Sequence, residues 1–331
     1  MNDPGSPEMS VVIVTPDHYD TIGRTIGYLR AQTVRERLEV VIVAPSVDTL
    51  EVNDADLKDF LQFRVVEVGK IRSIAQANAA GIRQASAPVV AFIEEHSYPD
   101  PGWAKALIEA HRQPWAAVGP VVRNANPGSV VSWADFLIAY GPWMDPSPTG
   151  VVDFLPGHNS SYKRAILLDY GPELEAMLES ESVLHWDLQA KGYQLYLESA
   201  AKISHLNFGL LSSWIPAQFH SGRLFAAARA RRWSPLRRLF YTSGAPLIPV
   251  VRFQRILQQL RRFDRRRNLP LGVLPTLILG LVVSAVGEML GYALGAGDAK
   301  QKLSNFEFHR YQHLAERDRQ GKTGIVPRQR S

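Results

Sequence analysis

The sequence predicts an α/β fold with a mostly parallel central sheet, followed by a C-terminal region of basic and apolar helices. Short β-branched runs alternate with helical stretches of about 10–15 residues near the N-terminus, which is the pattern of βαβ units. Polar or ionisable loops directly follow three of these runs. Beyond residue 208 the composition changes to arginine, aromatic residues and proline, and a long apolar stretch follows.

Four strands are predicted in the first third of the chain, each from a short apolar run rich in β-branched residues. They are 10–14, 38–44, 63–68 and 89–93. Apolar residues recur at helical intervals between them, and this spacing predicts helices over 21–32 and 71–85. Further along, the same reasoning predicts, in chain order, a helix over 103–111, a strand over 115–122, a helix over 161–168, a helix over 180–191 and a strand over 193–197.

The loops after three predicted strands are the first functional indication. These loops are Thr15 to His18, Ala44 to Ser46, and Glu94 to His96. In sheets built from βαβ units, ligands bind beyond the carboxyl ends of the strands. We therefore expect a ligand site at this edge, with Glu94, Glu95 and His96 in it.

Composition limits the classes of protein to which the chain can belong. Its 331 residues, 46% hydrophobic and 21% charged, are ordinary for a globular protein of one large domain with an appendage. The chain has no cysteine, which excludes disulfides, thiolate metal sites and a cysteine nucleophile. Residues 1–9 are polar and predicted to be flexible, and their pattern is not that of a secretory signal.

Charge is unevenly distributed along the chain. Residues 220–268 contain thirteen arginines, no lysine and one acid, which gives +12, so the rest of the chain sums to −7 of the total +5. Such asymmetry favours an anionic partner for this region alone. Because the arginines alternate with tryptophan, tyrosine and apolar residues, and no nucleic-acid-binding module is recognisable, we expect an anionic membrane surface and no nucleic acid.

An apolar stretch over 269–294 is long enough to cross a bilayer, which takes about 20 residues. The arginines in 261–267 precede it, as expected for a cytoplasmic flank. However, Glu288 and the glycines at 280, 287 and 291 favour helix packing or an interfacial position, and a hairpin in a soluble core is a third interpretation. We predict a membrane-associated region over 233–297 at the cytoplasmic face, and a polar, partly disordered tail over 298–331.

Four stretches resemble glycosyltransferase family 2, a large inverting group with the GT-A fold. They are SVVIVTPDHYDTIGRTIGYLRAQT from residue 10, LEVVIVAPS from residue 38, ANAAGIRQASAPVVAFIEEHSYPDPGWAKAL from residue 77, and ESESVLHWDLQAKGYQLYL from residue 179. The resemblance implies a catalytic domain over 10–232 that transfers a sugar, of hexosyl type, from a nucleotide-diphosphate donor. One departure is the second strand, which in the family ends in paired aspartates and here ends in Ala44, Pro45 and Ser46.

The resemblance also implies which residues bind the donor and a metal. The donor-binding residues it implies are Thr15, Pro16, Asp17, Ala44, Asn78, Glu94, Glu95, Asn159 and Arg223. The family's acidic metal loop reads Glu94-Glu95-His96 here, and His205 follows a strand where relatives place a histidine near the metal. The implied metal ligands are thus Glu94, His96 and His205, for Mn²⁺ or Mg²⁺, and the imidazoles shift the preference towards Mn²⁺ or weaken metal binding.

Glu181 lies at the position where the family has the carboxylate that deprotonates the acceptor hydroxyl. A carboxylate is suited to this role when partial desolvation raises its basicity. Glu179, two residues away, is an alternative. The leading hypothesis is transfer to a lipid-linked or glycan acceptor at the membrane surface. The alternative is a metal-independent or catalytically impaired relative that acts as a lipid-bound scaffold, which the missing aspartates after the second strand would suit.

Overall fold

A computed structural model describes residues 5–262 and 269–320 of the chain. Part of the predicted arginine flank and the end of the predicted disordered tail lie outside these described residues. The chain forms two compact units. The sheet unit contains 5–123 and 145–205, and the helical unit contains 124–144 and the described residues from 206 onwards. The predicted boundary of the catalytic domain at residue 232 stays a prediction.

The sheet contains nine strands among the described residues. They are β1 (Met9–Val14), β2 (Leu38–Ala44), β3 (Gln62–Glu67), β4 (Val89–Ile93), β5 (Ser97–Pro99), β6 (Ala117–Asn124), β7 (Gly150–Val152), β8 (Ser161–Lys163) and β9 (Leu195–His205). The helices up to β9 are α1 (Tyr19–Arg30), α2 (Val47–Leu50), α3 (Asp54–Leu57), α4 (Ile74–Gln84), α5 (Trp103–Ala110), α6 (Val130–Tyr140), α7 (Arg164–Leu168), α8 (Leu174–Leu178) and α9 (Glu181–Ala190). Of these helices, α6 belongs to the helical unit.

The strands are ordered β3-β2-β1-β4-β8-β6-β9-β5, with β7 also paired to β9. Neighbours from β3 to β4 run parallel, whereas β8 is antiparallel to β4 and β6, and β5 and β7 are antiparallel to β9. The predicted α/β class is confirmed, with a mixed sheet whose first half is parallel. In that half β1, β2 and β4 are buried along their whole length, which explains their continuous apolar runs.

Local sequence accounts for the close packing of α4 on the sheet. The Ser73 hydroxyl accepts a hydrogen bond from the backbone N–H of Gln76 and caps the start of the helix. A Cβ at Gly81 would lie only 2.6 Å from a methyl of Val12 and 3.0 Å from one of Val43. Glycine at this position therefore lets the helix approach β1 and β2 closely.

Two of the differences between the sequence predictions and the structure concern the site. The helix predicted over 161–168 is wrong for its first three residues, because Ser161 pairs with Ala91 of β4 and Val118 of β6 as part of β8. The strand predicted over 193–197 is instead the 11-residue β9. The added residues pair β9 with β5, with His205 directly opposite Ser97.

The helical unit is built mainly from α6 and the helices after β9. These are α10 (Leu211–Arg229), α11 (Pro235–Gly244), α12 (Ile248–Arg262), α13 (Val273–Leu294), α14 (Ala299–Glu307) and α15 (Glu316–Gln320). Helix α13 approaches α10 through glycines: a Cβ at Gly287 would lie 3.0 Å from the Arg223 backbone nitrogen, and one at Gly291 would lie 2.7 Å from the Ala226 Cβ. These contacts support the helix-packing interpretation of the glycines.

Within the described part of the chain, α13 is the one helix long and apolar enough to cross a membrane. This is weak evidence, because 44% of its most apolar window is buried and a buried core helix passes the same test. Its acid, Glu288, is buried and lies 3.4 Å from Arg252 of α12. The acid is therefore paired within the protein, which a core position explains as well as a membrane position does.

Candidate active site

The parallel strands bring the predicted loops to one edge of the sheet. Ile13 of β1 pairs with Ile93 of β4, and Val14 pairs with Val43 of β2. Thr15, Ala44 and Glu94 therefore lie at the carboxyl ends of three neighbouring strands, as the sequence predicts.

The first loop is held mainly by its own hydrogen bonds. Thr15 is buried, and its hydroxyl donates to the carbonyl of His18 at 2.9 Å. The Asp17 carboxylate accepts from the His18 backbone N–H and the Thr21 hydroxyl, both at 2.7 Å. Pro16 is half-buried between them. The polar groups of this loop thus fix the entry into α1.

Three other predicted donor-binding residues have different surroundings. Ala44 is buried at the end of β2, and Asn78 is 8% exposed on α4. Arg223 belongs to the helical unit, where its Nε donates to the Gly295 carbonyl at 3.0 Å. The structure thus gives Arg223 a bond inside that unit, and its expected contact with the diphosphate remains a prediction.

Glu94, His96 and His205 form a compact group that could hold a metal ion. One ligand atom from each residue lies within 4.8 Å of the other two. The two Nε2 atoms are 3.0 Å apart, and the Glu94 carboxylate oxygens lie 3.8 Å from His96 Nε2 and 3.3 Å from His205 Nε2. Both imidazoles are almost completely buried, at 1% and 3% exposure. The fold thus joins residues more than a hundred positions apart.

The backbone explains how this group is positioned. After β4, the Ser97 N–H donates to the Glu94 carbonyl at 3.0 Å, so the chain turns sharply before β5. The Thr25 hydroxyl of α1 donates to the Glu95 carbonyl at 2.7 Å and anchors the turn. Because β5 pairs with the end of β9, His205 lies next to this turn.

Neighbouring side chains hold the ligand atoms in place. The amide of Asn159 donates to Glu94 Oε2 at 2.7 Å. The carboxylate of Glu95 lies 2.9 Å from Nδ1 of His96, the ring nitrogen that faces away from the group. This contact is a close approach of the carboxylate to the ring and does not have the geometry of a hydrogen bond. Burial acts to raise the pKa of Glu94, but the imidazoles of His96 and His205 outweigh it and hold that pKa well below its usual range.

These donors fit a divalent cation. Two ligands placed about 2.1 Å from one ion at angles of about 90–109° lie about 3.0–3.4 Å apart. The two imidazole nitrogens are 3.0 Å apart, and the nearest carboxylate oxygens are Oε2 at 3.3 Å from His205 and Oε1 at 3.8 Å from His96, so the separations are close to this range when both oxygens of Glu94 are counted. Two imidazoles and one carboxylate suit Mn²⁺ and later metals better than Mg²⁺, which prefers oxygen ligands.

Glu181, the expected base, is the first residue of α9 and contacts an unexpected partner. Its Oε1 lies 2.8 Å from Nδ1 of His158. Burial acts to raise the pKa of Glu181, but the nearby His158 imidazole outweighs it, so the net pKa is lowered. The imidazole therefore offsets the desolvation that suits a carboxylate to act as a base, and the role of Glu181 stays a prediction. The alternative, Glu179, caps the C-terminal end of α8.

A buried polar network lies beside Glu181. The Tyr162 hydroxyl is 2.8 Å from His185 Nε2, and the Leu155 backbone N–H donates to His185 Nδ1. Burial lowers the pKa of His185 to about 4, although Glu181 opposes the shift. His185 is thus a neutral residue whose hydrogen bonds fix α9. The sequence does not predict the contact of His158 with Glu181 or that of His185 with Tyr162. The positions of these residues along the chain do not indicate that they meet, because β8 and α9 bring them together only in the folded protein.

Comparison with known proteins agrees with the earlier resemblance. Residues 10–171 match the model of glycosyl transferase family 2. Among solved structures, GalNAc-T7 with UDP, GalNAc and Mn²⁺ is 15% identical, with a TM-score of 0.47, over 60% of this chain and 43% of that chain. PcManGT, a mannosyltransferase from Pyrobaculum calidifontis with GDP-Man and Mn²⁺, is 17% identical, with a TM-score of 0.48, over 96% of this chain and 84% of that chain. No curated protein matches the chain.

The family match covers the parallel half of the sheet, the Glu94–His96 turn and the loop with His158 and Asn159. His205 and Glu181 lie beyond the matched residues, and the fold brings each of them next to a residue inside the match. Just under half of the chain, residues 10–171, is thus similar to glycosyl transferase family 2, and the mixed, mostly parallel sheet with its C-terminal helices is an α/β fold of the GT-A-like type.

Proposed function

We propose that the chain transfers a hexosyl group, with inversion, from a nucleotide-diphosphate donor to a lipid-linked or glycan acceptor at a membrane surface. The observation that carries the donor half of this proposal is the buried group of Glu94, His96 and His205 at the carboxyl edge of the sheet. The edge is where sheets of this type bind ligands, and the group is suited to a metal diphosphate.

Glu94, His96 and His205 would hold a divalent cation, which when bound neutralises charge that develops on the leaving diphosphate. Glu95 keeps the His96 ring in orientation, and Asn159 does the same for the Glu94 carboxylate. On the acceptor side, the attacking hydroxyl loses its proton by general-base catalysis, and this step requires Glu181. A single displacement with the base opposite the leaving group inverts the anomeric centre.

The test is release of nucleoside diphosphate from a panel of uridine and guanosine diphospho-hexoses, with Mn²⁺ or with chelator. We expect release that needs the cation and falls by at least about 100-fold in Glu94→Gln, since the substitution removes the ligand charge. Glu109→Gln on α5 is the matched control, because Glu109 is exposed and pairs only weakly with Lys105 at 4.0 Å. Cation-dependent release that is unchanged in Glu94→Gln would contradict the role of the group.

The alternative function has one specific observation in its favour. β2 ends in the buried Ala44 followed by Pro45 and Ser46, and so lacks the carboxylates that relatives place there. A metal-independent transferase would release nucleoside diphosphate equally with chelator. A lipid-bound scaffold would release none while still binding membranes.

The membrane half of the proposal is supported by α11. Leu236, Leu239 and Phe240 are 79%, 62% and 73% exposed, and their spacing places them on one face of the helix. Leu247 and Val250, just beyond α11, are 67% and 55% exposed. Exposed apolar side chains of this size are typical of a surface that contacts a partner.

The charge of the same region selects an anionic lipid surface as that partner. The thirteen arginines and single acid of 220–268 include Arg237, next to the exposed face of α11, and Arg231 and Arg232 just before it. Each basic residue near an anionic surface contributes about 1 kcal/mol, and the apolar face adds its burial in the interface. We propose that α11 lies in the headgroup layer at the cytoplasmic face while α13 packs against α10.

Flotation with vesicles of phosphatidylcholine, with and without phosphatidylglycerol, tests this surface. Leu239→Glu with Phe240→Glu should abolish binding to anionic vesicles, whereas Val47→Glu, an exposed apolar position on the sheet unit, should not. High salt and alkaline carbonate should release the wild-type protein, since α13 would not span. Retention after carbonate would contradict surface binding and favour insertion of α13.

A further inference from the structure

We propose that His158, oriented by Glu181, is the residue that takes the proton from the acceptor hydroxyl. This inference rests on the proposed function and changes the role of Glu181 from proton acceptor to orienting carboxylate. Its basis is the contact of 2.8 Å between Glu181 Oε1 and His158 Nδ1.

The loop before β8 brings the two residues together. A Cβ at Gly157 would lie 2.8 Å from the carboxyl carbon of Glu181 and closer still to its Cβ and Cγ. Only glycine therefore allows the loop to lie directly on the Glu181 side chain. The next residue, His158, then contacts the carboxylate. Asn159 follows and bonds to Glu94 of the metal-binding group, so one turn connects both halves of the site.

Exposure distinguishes the two members of the pair. The His158 side chain is 45% exposed, whereas that of Glu181 is 17% exposed. An acceptor hydroxyl arriving from solvent therefore has more access to the imidazole than to the carboxylate. Because Glu181 holds Nδ1, proton transfer takes place at Nε2.

Acid–base chemistry favours the same assignment. His158 lowers the pKa of Glu181, which makes the carboxylate a weaker base towards a hydroxyl. A carboxylate at Nδ1 instead stabilises the imidazolium formed when Nε2 is protonated, as in other histidine–carboxylate pairs. An imidazole also titrates nearer neutral pH than a carboxylate does.

The proposed step balances as a displacement at the anomeric carbon. The acceptor oxygen forms the new bond to that carbon while its O–H bond breaks and the proton moves to Nε2 of His158. The bond from the anomeric carbon to the diphosphate oxygen breaks, and the nucleoside diphosphate leaves with the electron pair. Glu181 stays ionised and holds the imidazolium.

Other ionisable groups near the pair do not compete for the proton. Glu94 accepts a hydrogen bond from the Asn159 amide and belongs to the metal-binding group. His185 faces Glu181 from within α9, and burial lowers its pKa to about 4, so it stays neutral at physiological pH. Tyr162, bonded to His185, has a pKa raised by burial and remains protonated.

The experiment compares His158→Ala and Glu181→Gln with wild type, using hydroxyl acceptors and azide as nucleophiles on the donor panel above. Azide carries no proton, so its attack needs no base. We expect His158→Ala to lose about 10²–10⁴-fold in transfer to hydroxyl acceptors. It should keep azide transfer within about threefold, and added imidazole should restore hydroxyl transfer at least about tenfold. His309→Asn, at a left-handed position that asparagine tolerates, is the histidine control and should match wild type.

If Glu181 took the proton directly, removing His158 would remove the imidazole that lowers its pKa, and His158→Ala would stay active. If His158→Ala unfolds thermally as wild type does and keeps more than about a tenth of wild-type transfer, this inference is overturned and the proposed function is not. His158→Gln gives the same comparison if the alanine variant fails to fold. A wild-type protein that releases no nucleoside diphosphate from any donor overturns the proposed function, and this inference with it.

Discussion

Substituting Gly157 by alanine tests whether the loop must contact Glu181 directly. The added Cβ would lie 2.8 Å from the Glu181 carboxyl carbon, whereas carbon atoms rest at about 3.5–4.0 Å. The carboxylate or the loop must therefore move by about 1 Å. Overpacking of this kind costs about 1–3 kcal/mol of the free energy of unfolding. A displacement of about 1 Å in catalytic geometry lowers turnover by about 100-fold.

Urea unfolding and kcat/KM for sugar transfer measure the two effects on the same variant. Gly27→Ala in α1 is the control, because a Cβ there meets nothing within 4 Å. It should stabilise the protein by about 0.5–1 kcal/mol and leave kcat/KM unchanged. Gly157→Ala with wild-type stability and kcat/KM would refute the close approach and the positioning of Glu181 that depends on it.

Four further outcomes follow from the structure. Glu181→Gln should lower transfer to hydroxyl acceptors by about 10²–10⁴-fold without weakening nucleotide binding, and a loss below tenfold in steady-state kinetics would contradict its role. His96→Ala should weaken calorimetric binding of nucleoside diphosphate with Mn²⁺ by at least about tenfold, and binding that is unchanged and insensitive to chelator would exclude a metal role. Burial lowers the pKa of His111 to about 3, so its contribution to stability is present above about pH 6.5 and lost as the pH falls towards 3. In urea unfolding at pH 4–7, the free energy of unfolding of His111→Gln should fall less with decreasing pH than that of wild type. A pH dependence equal to that of wild type would refute the burial argument. Gly287→Ala should cost about 1–3 kcal/mol in the same assay, because its Cβ would meet the backbone of α10, and a stabilised variant would show that α13 does not pack there.

Tight packing of α13 also changes which membrane experiment is informative. From the sequence, truncation after Phe240 is a direct test, because it removes the apolar stretch over 269–294 and the arginines that precede it. In the structure that cut would expose the face of α10 that carries Trp214, which is completely buried and meets α13 at Gly280. Loss of membrane binding would then be confounded by misfolding, whereas substitutions on α11 leave the packed helices intact.

The sequence predicts the parallel half of the sheet well, for a physical reason. β2 and β4 have the predicted bounds, since strands buried on both faces have an uninterrupted apolar pattern. β8 has only three residues, and its extended conformation depends on pairing with β4 and β6, which no local pattern records. Apolar and polar residues alternate only weakly at the end of β9. The strand extends to His205 because its last residues pair with β5.

The candidate site shows the same division between local and long-range information. Glu94 and His96 are predictable because they directly follow a buried strand. His205 came from resemblance, and its distance of 3.0 Å from His96 follows from the β5–β9 register. The His158–Glu181 contact joins residues 23 positions apart through a 3₁₀ turn and a helix start, so it required the folded arrangement.

The most direct test of the central claim is anomalous diffraction from crystals of the full chain grown with Mn²⁺ and UDP or GDP. We expect one manganese peak among Glu94 Oε, His96 Nε2 and His205 Nε2, with the diphosphate at the carboxyl ends of β1 and β4. A bound nucleotide with manganese elsewhere, or with none in a protein that is active in the same buffer, would contradict the assignment of this group as the metal-diphosphate site.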